Sequence, residues 1–551
     1  MKMLYGLPAG LIISAFVFTQ MASAALTTLF VATNATGDGS GSSWANATNS
    51  IQGAISAIDN TNPTNTVWVS NGVYEADGIT NFPSGTILTN RVAIYKPITV
   101  RSANNDPTNT IIKGVWNSSD QTNAMGPAAV RCVYMTNGSS LIGFTLSNGA
   151  TLKTAVANET YGGGVYCQST NTVISNCVIV ANASYAAGGG TYYGTLYNCT
   201  LNTNVTGGAG GGSYYGTLYY CTLSNNWTTA SIGYPGTHCG GGAYGGIMSN
   251  CTIVGNRSQI GWQGGGVYYG TFYNCTLSNN FSDYGSAADS CTLSNCTIVG
   301  NRGSEAARSC TLFDCRIISN SVGIRGGGAS SCILSNCTLI ANSSATDWGG
   351  GATYSILYNC TLTGNRGNKA GGAYLSTLYN CMITNNSSDE NGGGAYNSTL
   401  YNCTIVGNLA TKYGGGAFGG TQYNCTIANN SASIQGGGAS SNNLNNCIVY
   451  FNNAPNGSNW YENDVTIVFT NSCTAPAPAA GSRNITGNPM FVDTNTANYR
   501  LSVNSPCINT GTNGSWTTNS YDRDGRTRIR YGTVDMGAYE NIYDGSIYTI
   551  H

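Results

Sequence analysis

The sequence predicts an all-β fold, a right-handed parallel β-helix, and three regularities carry that prediction. A cysteine recurs at Cys177, Cys199, Cys221, Cys251, Cys275, Cys296, Cys315, Cys337, Cys360, Cys381, Cys403, Cys425 and Cys447, at intervals of 19 to 30 residues and most often 22. A glycine run opens most of these turns, its last glycine nine residues before the cysteine, as from Gly190 to Cys199 and from Gly438 to Cys447. The residue two after the cysteine is Ile, Leu or Val in all thirteen turns. A period of this size marks a solenoid, whose single turns bury too little apolar surface to fold alone.

Within a turn, side chains alternate between the two faces of a strand. The cysteine and the aliphatic residue two after it should face inward, as should the apolar residue three before it, present in twelve turns with Gln422 the exception. The residue between cysteine and aliphatic is Thr in nine turns and should face water. Asn precedes the cysteine in eleven turns and tolerates the left-handed backbone that a sharp corner demands. Stacked corner asparagines would also hydrogen-bond along the axis. The cysteines read as a buried ladder of reduced thiols acting as small hydrophobes. A second column, Cys291, Cys310 and Cys332, lies five residues before its partners; rung spacing permits disulfides there without requiring them, and the total of 21 leaves at least one cysteine without an intramolecular partner.

The ends differ from the middle. Residues 1–24 have the basic start, apolar stretch and Ala22-Ser23-Ala24 boundary of a secretory signal peptide. Residues 25–160 read as a cap and irregular first turns: Ile51, Ala54, Ile55 and Ile58 follow the spacing of a short amphipathic helix, and Val67-Trp68-Val69, Ile98-Thr99-Val100, Thr110-Ile111-Ile112 and Phe144-Thr145-Leu146 read as strands. The regular array spans 161–455. Residues 456–551 form a separate module, entered through a linker around Ala475-Pro476-Ala477-Pro478.

These features resemble the β-helix proteins of the pectate-lyase-like superfamily that end in a choice-of-anchor Q domain. The stretch from Asn488 to Glu540, with Asp522-Arg523-Asp524-Gly525 and Asp535-Met536-Gly537-Ala538-Tyr539-Glu540, carries the C-terminal part of the resemblance. The repeats Gly-Gly-Gly-Ala-Tyr and Asn-Cys-Thr-Ile are also similar to those of polymorphic outer-membrane adhesins. The resemblance implies an extracellular or cell-surface setting and supplies no catalytic residues.

For function, the sequence offers two readings. Only 8% of residues are charged and the net charge is −1, which gives no basic field for nucleic acid. No stretch approaches the length of a membrane-spanning helix, so an integral membrane protein is not expected. The first reading is a secreted or surface scaffold for adhesion, glycan binding or matrix structure, with an extracellular polysaccharide or cell-surface glycan as partner. It rests on two outward aromatic columns. One is Tyr192, Tyr214, Tyr244, Tyr268, Tyr374, Tyr396 and Phe418, the candidate glycan-binding residues; the other, two before the cysteines, runs from Tyr197 to Tyr423. Exposed rings stack on sugar faces, although rings that stack on one another stabilise a solenoid equally well.

The alternative is a polysaccharide lyase or glycoside hydrolase, which needs a base with a neutralising cation, or two facing carboxylates. Its candidates are Asp289, Glu305, Arg308, Asp314 and Arg316, in the two turns that lose the glycine run; Asp289 and Arg308 both precede their cysteines by seven and should be stacked neighbours, equally able to form a structural ion pair. Asp522 and Asp524 resemble a fragment of a calcium loop, and calcium is the one cofactor the sequence suggests.

Overall fold

The computed structural model describes residues 28–58, 64–116, 125–323, 326–345, 348–462 and 468–541, so the predicted signal peptide lies outside the described residues. The fold is the expected parallel β-helix. Short strands pair in parallel from each turn to the next, for example Thr195–Tyr197 with Thr217–Tyr219 and Thr200–Asn202 with Thr222–Ser224. The only antiparallel strand pair among the described residues is Phe491–Asp493 with Asn498–Leu501.

Each regular turn runs over three faces. In the turn around Cys199, Thr191–Tyr192 and Thr195–Tyr197 build the first face, Thr200–Asn202 the second and Val205–Thr206 the third. Leu196, Cys199 and Leu201 point inward and are at most 2% exposed, as the alternation requires. The faces meet at corners five residues apart, and each corner uses one non-helical device. A residue takes a left-handed φ, as do Asn198 (51°) and Thr203 (52°), and the residue after it, Cys199 or Asn204, turns a short side chain inward; Tyr193 (56°), followed by Gly194, makes the same bend within the first face.

What holds a corner is a hydrogen bond to the next turn. At the cysteine corner the backbone N–H of Cys199 donates to Sγ of Cys221, and that of Cys221 to Sγ of Cys251, both at 3.4 Å. The S–H groups point to carbonyls, as Cys221 Sγ does to Tyr219 O at 3.3 Å. All 21 cysteines are free and buried. The second column, Cys291, Cys310 and Cys332, works the same way and is continued by Ser355 and Ser376, whose hydroxyls accept at 3.1 Å.

The third corner holds an element that the cysteine pattern does not announce. Asn182, Asn204, Asn226, Asn256, Asn280, Asn301, Asn320, Asn342, Asn365, Asn386, Asn408, Asn430 and Asn452, each five residues after a repeat cysteine, form an unbroken buried ladder. Oδ1 of Asn204 accepts both the backbone N–H and the side-chain amide of Asn182 at 3.1 and 3.0 Å, while Nδ2 of Asn204 donates to Ile179 O at 2.9 Å. Every polar atom of these amides is therefore occupied, which buried amides require. The glycine runs pass directly across this ladder. A Cβ on Gly190 would stand 2.5 Å from Gly212 O and 3.1 Å from the Asn204 amide, so the narrow edge of the cross-section admits no side chain.

At the N-terminal end the predicted helix, Ile51–Ala57, lays Ile51, Ala54, Ile55 and Ile58 on the core, with Ser50 Oγ capping Gly53 N–H at 2.9 Å. At the other end stacking continues past residue 455: Trp460–Tyr461, Phe469–Thr470, Cys473–Thr474 and Gly481–Ser482 all add to the faces. The Ala-Pro stretch read as a linker is the outer loop between the last two of these strands. Residues 488–541 then fold back along the outside of the final turns. Corner Asn402, Asn424 and Asn446 donate to Tyr521 O, Asp535 O and Thr512 O at 2.8 to 3.0 Å, Thr426 Oγ1 accepts Ala538 N–H at 3.0 Å, and Trp516 covers Tyr401 and Tyr423. The segment is a clasp on the side of the rod.

Two outcomes follow. Asn342→Ala strands Ile317 O, Asn320 N–H and the Asn320 amide, and should cost about 3 kcal/mol or more; Cys337→Ala, which removes one small buried group and the single, weak sulfur acceptor of Cys315 N–H, should cost less, about 1–2 kcal/mol. Denaturant melts of the two variants check the order. Every one of the 21 cysteines is buried, so a thiol reagent that cannot reach the sulfurs should label almost none of them in the native chain and all of them once it is unfolded.

Candidate functional site

The first face carries the column that the sequence marks for glycan contact. Tyr134, Tyr166, Tyr192, Tyr214, Tyr244 and Tyr268 are in exact register on successive strands, and Tyr374, Tyr396 and Phe418 resume the column further along. Tyr134 and Tyr166 are buried and the rest of the rings half-buried, and they stack on one another: Tyr192 on Tyr214 at 5.3 Å, Tyr214 on Tyr244 at 5.1 Å, Tyr396 on Phe418 at 5.2 Å. Stacking at the rung spacing occupies both faces of every interior ring, so only ring edges and the column ends meet solvent. Burial also raises the Tyr192 and Tyr214 phenols above their ordinary range. The second column behaves alike, with Tyr379 on Tyr401 at 4.9 Å and 4° from parallel.

Between Tyr268 and Tyr374 the same register is held by Asp289, Arg308, Ser330 and Thr353. The predicted neighbours thus meet: Arg308 Nη1 lies 3.3 Å from Asp289 Oδ2, and its guanidinium sits 4.8 Å from the Tyr284 ring. Asp289 is 2% exposed, and burial pushes its carboxyl up to about 6 against the opposing pull of the Ser290 hydroxyl and Arg308. Of the other three candidates, Glu305 is near enough for its charge to raise the Asp289 carboxyl further, while Asp314 and Arg316 make no ion pair with Asp289 or Arg308. Glu305 is buried at a glycine-run position, where Ser304 Oγ donates to its carboxylate at 2.6 Å. Asp314 occupies the next corner with φ 54°, and Arg316 begins the second face; both are exposed.

Asp522 and Asp524 are committed to the clasp. Asp522 accepts the N–H groups of Asp524, Arg526 and Glu540 at 2.7 to 2.9 Å, and Asp524 pairs with Arg500 at 2.6 Å and Arg526 at 3.1 Å. Among the described residues no three His, Cys, Asp or Glu side chains converge as metal ligands. Beside them Arg528 and Glu540 form a buried pair at 2.7 Å, with burial pushing the Glu540 carboxyl up to about 8. His238 is buried edge-on against Trp262, and burial lowers it from the usual histidine range.

No family model and no curated protein matches the chain. Solved structures that are similar in winding include a pectate lyase (15% identity over 95% of this chain and 98% of that one, TM-score 0.21), a rhamnogalacturonan lyase (12%, 87% and 96%, 0.24) and a pectin methylesterase from carrot (13%, 59% and 85%, 0.26). At such values the likeness says nothing of activity, and the fold stands on the strand register itself.

The Asp289–Arg308 pair sets a pH dependence. An unfolded Asp titrates near 4 and the folded one near 6, so the fold binds this proton more tightly and its contribution to stability falls as pH rises from about 4 through 6. Asp289→Asn should flatten that part of the profile, read as the melting temperature of variant minus wild type between pH 4 and 7.

Proposed function

We propose that the chain is a rigid extracellular scaffold that holds glycans or neighbouring surfaces without turning them over. The observation that supports this reading is how the outer surface spends its chemistry. Over the regular turns it consists of self-stacked aromatic columns, threonine rows and corner amides, which are neutral groups suited to hydroxyl-rich partners. In the middle of the rod Asp289 and Arg308 pair with each other, and Glu305 is buried against Ser304.

One observation favours the lyase reading: Asp289, its carboxyl pushed up to about 6 by burial, lies beside a cation, the pairing that proton abstraction next to a uronate needs. Its burial leaves the carboxyl out of reach of a bulky chain, which places this reading second. A glycan array on the mature protein, run beside an assay for unsaturated uronate products, separates the two. The scaffold reading expects binding with no product; product formation that disappears in Arg308→Ala would replace it with the lyase.

A further inference from the structure

The irregular N-terminal turns hold an aromatic cleft that the repeat pattern does not foreshadow. It encloses about 820 Å³ and is lined by Phe30, Asn34, Trp44, Trp68, Ser70, Asn71, Ala103 and Asn104. Three successive paired strands, Thr28–Val31, Thr66–Val69 and Thr99–Ser102, form its floor, and Asn34, Asn71 and Asn104 follow their ends. Asn104 Nδ2 donates to Asn71 Oδ1 at 3.3 Å, which sets two of the amides in a row along the axis.

The two tryptophans are held in place without entering the core. The loop after Val31 returns to its strand through Phe30 N–H to Gly41 O at 2.9 Å and Thr48 N–H to Phe30 O at 3.0 Å, and it carries Trp44 to 4.8 Å from the Phe30 ring. Trp44 remains 45% exposed. Trp68 faces outward from its strand and is backed by the guanidinium of Arg101 at 4.4 Å, one rung along. A large apolar ring kept in water on an ordered loop costs solvation and stabilises little, which marks a contact surface.

We propose that this cleft binds a neutral polysaccharide chain lying along the helix axis. Trp44 and Trp68 would meet the apolar faces of its sugars, and Asn34, Asn71 and Asn104 would hydrogen-bond its hydroxyls. The combination of ring faces with amides that both donate and accept is the one a hydroxylated, partly apolar ligand fits. The choice of a neutral chain follows from the lining, none of whose eight residues is charged. A buried carboxylate would instead need a matched cation inside the cleft. Three rungs span about 10 Å of axis, room for a short run of sugars.

This inference rests on the glycan-binding reading above and narrows it to one place and one ligand class. Calorimetric titration of the full chain with neutral hexaoses of β-1,4-glucan, β-1,3-glucan, α-1,4-glucan and β-1,4-mannan, and with hexagalacturonate, tests it at low and high salt. At least one neutral hexaose should bind saturably and independently of salt. Trp44→Ala and Trp68→Ala should each weaken that binding at least tenfold, with Tyr220→Asn, at an exposed corner outside the aromatic columns, unchanged. Ala103→Trp, which fills the cleft while leaving its native contacts, should abolish binding even if Trp68→Ala fails to fold. Binding that survives both Trp44→Ala and Ala103→Trp overturns the cleft and leaves the scaffold reading intact. Salt-sensitive preference for hexagalacturonate overturns the neutral ligand, and a folded wild type that binds no glycan overturns both readings.

Discussion

The whole structure depends on left-handed corners that are locked from the neighbouring turn. A non-glycine residue in that conformation costs about 1–2 kcal/mol, and a regular turn asks for it at corners occupied by residues as unsuited as Tyr220, Thr203 and Leu375. The offset comes from the residue that follows, whose backbone N–H is taken up by Cys, Ser or Asn in the next turn. Asparagine is the strongest of these locks because one side chain closes three hydrogen bonds at once, as Asn204 does with Asn182 and Ile179. Since each lock spans two turns, no turn holds its own corners, and the array folds as one body.

The same geometry explains the poverty of charge. Stacking in register puts equivalent residues of successive turns next to one another, so a charged position repeated in every turn would repel itself along the rod. Charges survive where adjacent turns carry opposite signs: Asp289 with Arg308, Arg366 with Asp389 and Glu390 with Lys412 all join consecutive turns. Tyrosine suffers no such penalty, and repetition turns it into a continuous stack. The aromatic columns are thus first a consequence of periodicity, and their availability to a ligand is limited to edges and ends.

Much of this was legible in the sequence. The cysteine ladder, the inward aliphatic residues, the helical cap, the aromatic columns and the Asp289–Arg308 neighbours follow from spacing and alternation within a turn. The asparagine ladder was equally regular, five residues after every repeat cysteine, yet it lies beyond the alternating positions around the cysteine that mark the inward face. A lone Asn reads as surface, and its burial becomes sensible only when the next turn supplies the acceptor. The clasp was hidden for a related reason: residues 488–541 have no period, and what they cover shows only as small departures from pattern, such as Ile448 in the threonine position and Ala428, which pack against Met536 and Tyr499.

Periodicity also limits where a specific site can lie. Thirteen near-identical turns present the same edge thirteen times, and a ligand that fits one rung fits its neighbours, which gives length and avidity but little discrimination. Discrimination needs groups that occur once, and those are found where the repeat fails: the irregular turns bearing Trp44 and Trp68, the two turns that exchange glycines for Ser286 and Glu305, and the clasp. Of these, the clasp satisfies its carboxylates internally and the exchanged turns bury Asp289 and Glu305. The N-terminal turns set two tryptophans and three amides on an open cleft, so the regular rod serves there as the rigid support that fixes their spacing.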